Sequence, residues 1–306
     1  MELDIKEIIG DIKFDEKIIT INNGCIILND GTIIRSGNSD TTLSHINKDT
    51  KNNNDLWHEE FEVKEFNTLI VNSYINVDFS IGKQYKVYVE APKEIVETLA
   101  IENKGNELHL NIKQDTNDTH NIVLKVVAPS LSKIIANNIS IVNVHAPIQN
   151  NNIIMLSAHE GSKITLSTIT CANVYITVTE GATMTISNIE ASKSIIAKTT
   201  QGAHINITEY AHTPNIYINT EQGSTVDMRG VNADQIIAKS GGASTIMLAG
   251  EAKDAEYIAG KRSNIIAQEL VAINGKATTT ELAHIKCNVT EHFEKHSSIL
   301  AKIVNK

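Results

Sequence analysis

Gly161-Ser-Lys-Ile164-Thr-Leu166, Gly181-Ala-Thr-Met184-Thr-Ile186, Gly202-Ala-His-Ile205-Asn-Ile207 and Gly223-Ser-Thr-Val226-Asp-Met228 are four copies of one pattern, spaced 20, 21 and 21 residues apart. The register extends on both sides of each glycine. Seven residues before it stand Ile154, Val174, Ile195 and Ile216; five before, Leu156, Ile176, Ala197 and Ile218; three before, Ala158, Val178, Thr199 and Thr220. The pattern resumes three residues after it (Ile164, Met184, Ile205, Val226), five after (Leu166, Ile186, Ile207, Met228) and eight after (Ile169, Ile189, Tyr210, Val231). Of these 24 positions, 22 are hydrophobic and two are threonine, whereas the intervening Thr165, Thr185, Asn206 and Asp227 are all polar. Alternation with period two marks strands with one buried face. A coil of about 20 residues, with two such strands joined by a glycine turn and a second corner, cannot bury that face alone. Coils must stack, each adding a parallel strand to the sheets. In this register Ile186 is interior and Thr185 faces water.

Later coils are looser. Gly241-Gly-Ala-Ser-Thr-Ile246-Met-Leu248 shifts the turn by one residue, and Arg262-Ser-Asn-Ile265-Ile-Ala-Gln-Glu-Leu270 keeps the strand without the glycine. Leu282 to Val289 and Ser297-Ser-Ile-Leu300 form two part-coils. Six or seven coils at a strand spacing of ~4.8 Å predict a stack of roughly 30 Å. Upstream, Leu69, Val71, Ile75 and Val77 alternate with polar neighbours, as do Tyr85, Val87 and Val89, then Leu108, Leu110 and Ile112, then Ile122, Leu124 and Val126. They read as paired strands leading into the coils, with Pro92 and Pro129 at run ends, where a missing donor does no harm. The polar stretch Asn38 to Asp55, including Asn52-Asn-Asn-Asp55, reads as a linker. Before it, Asn23-Gly24 and Asp30-Gly31 punctuate three β-branched runs in residues 17–37 and predict a small β-meander. Ile5, Ile8, Ile9 and Ile12 have helical spacing. The predicted organisation is an N-terminal segment with the meander (1–37), a polar linker (38–59) and one long all-β domain (60–306).

The coil motif resembles the family of putative auto-transporter adhesins that carry the head GIN domain. So do the run from Phe66 through Pro129-Ser-Leu131-Ser-Lys-Ile134 and the closing segments Ser263-Asn-Ile-Ile-Ala-Gln-Glu-Leu270 and Thr279-Thr-Glu-Leu282 through Asn288-Val-Thr290. The resemblance covers about residues 60–304. It implies a right-handed parallel β-helix or solenoid-like stack, no known activity, and an adhesive or structural role at a surface.

Composition agrees with many short strands. The chain has 47 isoleucines and 32 asparagines but only 13 aromatic residues and 4 prolines. Isoleucine suits a pleated surface and asparagine tolerates left-handed turns. Few rings are expected because narrow coil interiors leave little room for them. A net charge of −9 excludes a nucleic-acid binder, which needs a concentrated basic surface. The N-terminus lacks the basic start and apolar run of a signal peptide, and no window reaches the ~20 apolar residues of a membrane helix. Cys25, Cys171 and Cys287 have no metal-like spacing and read as buried reduced thiols. The expected location is therefore cytoplasmic, with the cell surface as the alternative that the resemblance implies.

Few residues carry chemistry. Glu160, Glu180, Gln201 and Gln222 precede the repeat glycines and would stack as a column, either a cation or acid/base site or a ladder of hydrogen-bonded amides with solvated charges. Two glutamates without a third ligand make a poor calcium site. Asp227 is the sole carboxylate in its outward column, where a polysaccharide-degrading β-helix needs several converging acids. His292 and His296 in Glu291-His-Phe-Glu-Lys-His296 have i, i+4 spacing, but Phe293 stands where a metalloprotease motif needs glutamate. No catalytic, cofactor or metal residue is assigned. The expected function is a non-enzymatic solenoid with an adhesin-like or scaffold role and a protein or carbohydrate surface as partner; its Thr/Asn-rich outer faces would suit such a surface but are also what any solenoid shows to water. The alternatives are a cytoplasmic self-assembling structural protein, joined as a homo-oligomer through an open coil end, and a carbohydrate-active enzyme.

Overall fold

A computed structural model of the chain describes residues 56–113 and 122–306, together with three strands nearer the N-terminus. The chain divides into two compact units, residues 1–53 and 54–306. In the first, β1 (Ile18–Asn22), β2 (Cys25–Leu28) and β3 (Ile33–Arg35) form an antiparallel sheet in that order. The helical spacing in residues 1–16 and the linker up to residue 55 lie outside the described residues; positions 56–59, read as linker, begin a strand.

The second unit opens with β4 (Leu56–Glu62), β5 (Thr68–Val71), β6 (Asn76–Ile81), β7 (Lys86–Pro92), the short helix α1 (Lys93–Thr98), β8 (Leu99–Lys104), β9 (Glu107–Ile112) and β10 (Val123–Ala128). It continues through β11 (Lys133–Ala136), β12 (Ile141–Val144), β13 (Ile148–Gln149) and β14 (Ile153–Ala158). Long bent strands follow, one per coil: β15 (Lys163–Val178), β16 (Thr183–Thr199), β17 (His204–Thr220), β18 (Thr225–Ser240), β19 (Thr245–Ala259), β20 (Asn264–Thr279) and β21 (His284–Ser297), and then β22 (Lys302–Asn305). Successive long strands pair in parallel, with bulges confined to short stretches between the paired segments, as stacking requires.

The strands before residue 130 are more than a run-in. β5 lies parallel between β9 and β11, and β6 lies parallel between β10 and β12, so all of these are rungs of the stack. The solenoid therefore has about nine turns rather than six or seven. β8 runs antiparallel on β9, β7 antiparallel on β10, and β4 antiparallel on β7. These reversed strands close the first end of the stack and satisfy backbone groups that a bare parallel edge would expose.

The interior follows the register with two corrections. In β15 the buried positions are 164 and 166, then 169 and 171, then 174, 176 and 178. The three-residue steps break the period of two, so each coil has three inward segments instead of two. In β17 an extra residue bulges between Ile207 and Ala211, and Ala211, not Tyr210, joins the column of Ile189 and Val231. The interior also accepts rings where its neighbours are small. Tyr257 is fully buried, in register with Ala238 and Ala277. Phe66 and Phe79 are buried in the first rungs.

Each glycine turn is a pair of left-handed residues, such as Glu180 (φ 56°) and Gly181 (φ 70°), the geometry of a type I′ turn. The serine or alanine that follows the left-handed pair is buried in each coil from Ser140 to Ala283. Only a small side chain fits there, and where it is serine the hydroxyl finds a main-chain partner: Ser162 donates to the Ala136 carbonyl at 2.8 Å and Ser263 to the Ser240 carbonyl at 2.6 Å.

Candidate binding face

The positions singled out for chemistry do not converge. Glu160, Glu180, Gln201 and Gln222 do stack, but through the main chain. The Gly161 N–H donates to the Glu180 carbonyl, the Gly181 N–H to that of Gln201, and the Gly202 N–H to that of Gln222, each at 2.9 Å, while the four side chains are exposed. A side-chain amide ladder occurs elsewhere. Asn137 donates to Asn72 at 2.7 Å and Asn72 to Asn111 at 2.5 Å, tying together β11, β5 and β9. Asp227 is held by the Arg229 guanidinium at 3.2 Å. His292 and His296 sit on β21, where a four-residue step spans about 13 Å instead of one helical turn, so the imidazoles are kept apart. Among the described residues, no three His, Cys, Asp or Glu side chains are grouped to hold a metal. Burial pushes the thiols of Cys171 and Cys287 up to about 11, which keeps both protonated at neutral pH.

One outward column breaks the alternation. Met155 pairs with Tyr175, Tyr175 with Ile196, Ile196 with Tyr217 and Tyr217 with Ile237, rung upon rung. These side chains lie between interior positions and should be polar, yet five successive rungs carry apolar or aromatic groups. Met155 is 44% exposed and Tyr217 36%, and the others are half-buried. Four intervals of ~4.8 Å make a stripe roughly 19 Å long. It ends in charge, at Lys133 on one side and Glu256 on the other.

The stripe has polar margins. Along one run Asn173, Ser194, Asn215 and Gln235, preceded on the Met155 rung by the exposed Ile153, with the Ser194 hydroxyl donating to Asn173 Oδ1 at 2.8 Å. Along the other run Ser157, Thr177, Lys198, Asn219 and Lys239. Continuous parallel pairing beneath makes the face rigid, so little order is lost on binding. Chemically it offers apolar and aromatic contact bordered by hydroxyls, amides and two ammonium groups. The signal was present in the sequence: six residues before Gly161, Gly181, Gly202 and Gly223 stand Met155, Tyr175, Ile196 and Tyr217.

These features define a capped parallel β-solenoid with a rigid outer face. The family profile described as "Putative auto-transporter adhesin, head GIN domain" matches residues 65–193 and again residues 188–306, and the chain belongs to that family. Solved structures share the fold. A "putative adhesin" from Parabacteroides merdae is similar over 83% of this chain and 97% of its own, with 11% identity and a TM-score of 0.67. A "putative adhesin" from Parabacteroides distasonis is similar over 82% and 94%, with 16% identity and a TM-score of 0.64. A "putative lipid binding protein" from P. distasonis is similar over 83% and 98%, with 11% identity and a TM-score of 0.61. At such identities the likeness is one of fold. A comparison with curated proteins finds no match. The family description does not support the cytoplasmic expectation, and the cell-surface alternative fits it better. No helix among the described residues is long and apolar enough to cross a membrane.

Proposed function

We propose that the chain is a non-enzymatic, adhesin-like binding protein at the cell surface that holds an extended carbohydrate against the stripe from Met155 to Ile237. The observation that carries this reading is the apolar column on five successive rungs, where alternation calls for polar residues. The rings of Tyr175 and Tyr217 offer π-faces to the apolar sides of sugars, and Ile196 fills the rung between them. The hydroxyls and amides of the margins match sugar hydroxyls. Catalysis has no comparable support: Asp227 is paired with Arg229, and the glutamates of the turn column are solvated.

The test is a panel of surface polysaccharides in affinity electrophoresis, with the products examined for new chain ends. The expected result is retardation by at least one polymer without cleavage, lost in Tyr175→Ser/Tyr217→Ser. Cleavage abolished by neutralising a single exposed acid would make the chain an enzyme, and no retardation by any polymer would remove carbohydrate as the ligand.

A further inference from the structure

The two ends of the stack differ. The first is closed by the antiparallel strands β4, β7 and β8. At the other, β22 covers only His284–Cys287 of β21. The stretch from His292 to Ser297 is bonded on one side to Asn274–Thr279 of β20, and among the described residues no strand lies on its other side. Such an edge is a template for a further strand. Apolar side chains gather beside it, with Leu282 41%, Leu300 68% and Ile299 fully exposed around one recess. Lys295 continues the interior column of Tyr257 and Ala277, yet it is exposed and makes no ion pair among the described residues.

The charges on this edge select a partner. Glu291-His-Phe-Glu-Lys295, laid antiparallel against its own copy about Phe293, sets Glu291 opposite Lys295 and His292 opposite Glu294, twice each by symmetry. Parallel pairing would set every charge against its like. Displaced by one residue, the antiparallel register opposes Glu291 to Glu294 in one direction and in the other leaves Lys295 opposite His292 instead of a carboxylate. Charges that only guarded the edge would repel any strand; these favour the antiparallel arrangement centred on Phe293 over the parallel one.

We propose that two copies of this chain join end to end through the outer edge of β21, antiparallel about Phe293. Lys295 gains the partner copy's carboxylate, and the exposed Ile299 and Leu300 come to lie at the junction. The two-fold axis stands perpendicular to the sheet, so the contact is self-complementary and closes at two copies instead of growing into a filament. The apolar stripes of both copies then share one face of a continuous sheet, and a long ligand spanning both is held with avidity. The pairing does not rest on the nature of that ligand.

Analytical ultracentrifugation of the whole chain over a concentration series, at low and high salt, tests the pairing. A monomer–dimer equilibrium weakened by salt is expected. Lys295→Glu should weaken it by roughly tenfold or more, because two attractive cross-strand pairs become repulsive. Glu291→Lys/Lys295→Glu should recover the dimer to within about threefold, with thermal unfolding of all three proteins unchanged. A monomer at every concentration in low salt overturns the proposal. So does a dimer indifferent to Lys295→Glu, and a double variant as weak as the single one overturns the register.

Discussion

Ile186→Asp and Thr185→Asp place the same carboxylate one residue apart and should differ several-fold in cost. Ile186 is wholly buried, stacked between Leu166 and Ile207 and flanked along the strand by the buried Met184 and Ile189. Truncating a buried isoleucine costs about 2–5 kcal/mol, and a carboxyl without a hydrogen-bond partner adds about 1–3 kcal/mol even when protonated. A total near 5 kcal/mol is comparable with the stability of a whole domain, ~5–15 kcal/mol. Burial raises the pKa of the introduced acid in the folded state, so the penalty is least below about pH 4 and grows as pH rises. Thr185 points outward between Thr165 and Asn206, with no carboxylate in either neighbouring position, and its replacement should cost about 0.5–1 kcal/mol through strand preference. Urea denaturation followed by far-ultraviolet circular dichroism measures both. Equal losses, or a loss at Ile186 that shrinks as pH rises, would mean that the register is wrong.

Ile139→Gly should stabilise the protein by about 0.5–1 kcal/mol: a β-branched, exposed residue is held at φ 60° at the turn position that Gly161, Gly181, Gly202 and Gly223 fill in the next four coils, and a lower melting temperature would contradict this. Tyr257→Phe should also be neutral to stabilising, by up to about 1 kcal/mol, because the phenol oxygen is buried without a hydrogen-bond partner, and a loss above ~1 kcal/mol would reveal one. The thiols of Cys171 and Cys287 are raised from 9.0 to about 11 by burial, so a disulfide-exchange reagent at pH 8 should label them slowly in the folded protein and rapidly in urea. The sign of the linkage follows: the stability that these protonated thiols contribute is intact below pH 9 and lost between pH 9 and about 11, a slope that Cys171→Ala should flatten.

The interior columns were legible because one residue type is demanded at the same offset in every coil, and a stack repeats that demand. Bulges hid the rest. An extra residue moved Tyr210 out of the column that its distance from glycine assigned to it, and Ala211 took its place. The rungs before residue 130 escaped the count because β5 and β6 are inserted between later strands, an order that alternation alone does not encode. The turns without glycine were legible in part: Lys261–Arg262 and Glu281–Leu282 adopt the same left-handed pair as Glu180–Gly181 through neighbouring main-chain hydrogen bonds, with no glycine to announce it. The outer apolar stripe was missed for a different reason. Apolar residues beside interior positions look like more core, and Tyr175 and Tyr217 become informative only once the register has fixed which side of the strand they occupy. The i, i+4 histidines misled because that spacing has a contact meaning on a helix and none on a strand.

Adhesin-like binding by this chain requires the outer stripe to be a contact surface. Dissociation constants for a retained polysaccharide, measured by titration calorimetry with the intact chain, Tyr175→Ser/Tyr217→Ser and the Thr185→Asp control, address it directly. Both rings are on the surface, so the double variant should unfold like the parent while binding falls by about 30- to 100-fold, the loss expected for two aromatic contacts. The control, on another side of the coil, should bind as the parent does. Unchanged affinity in the double variant, or equal losses in variant and control, would contradict the assignment.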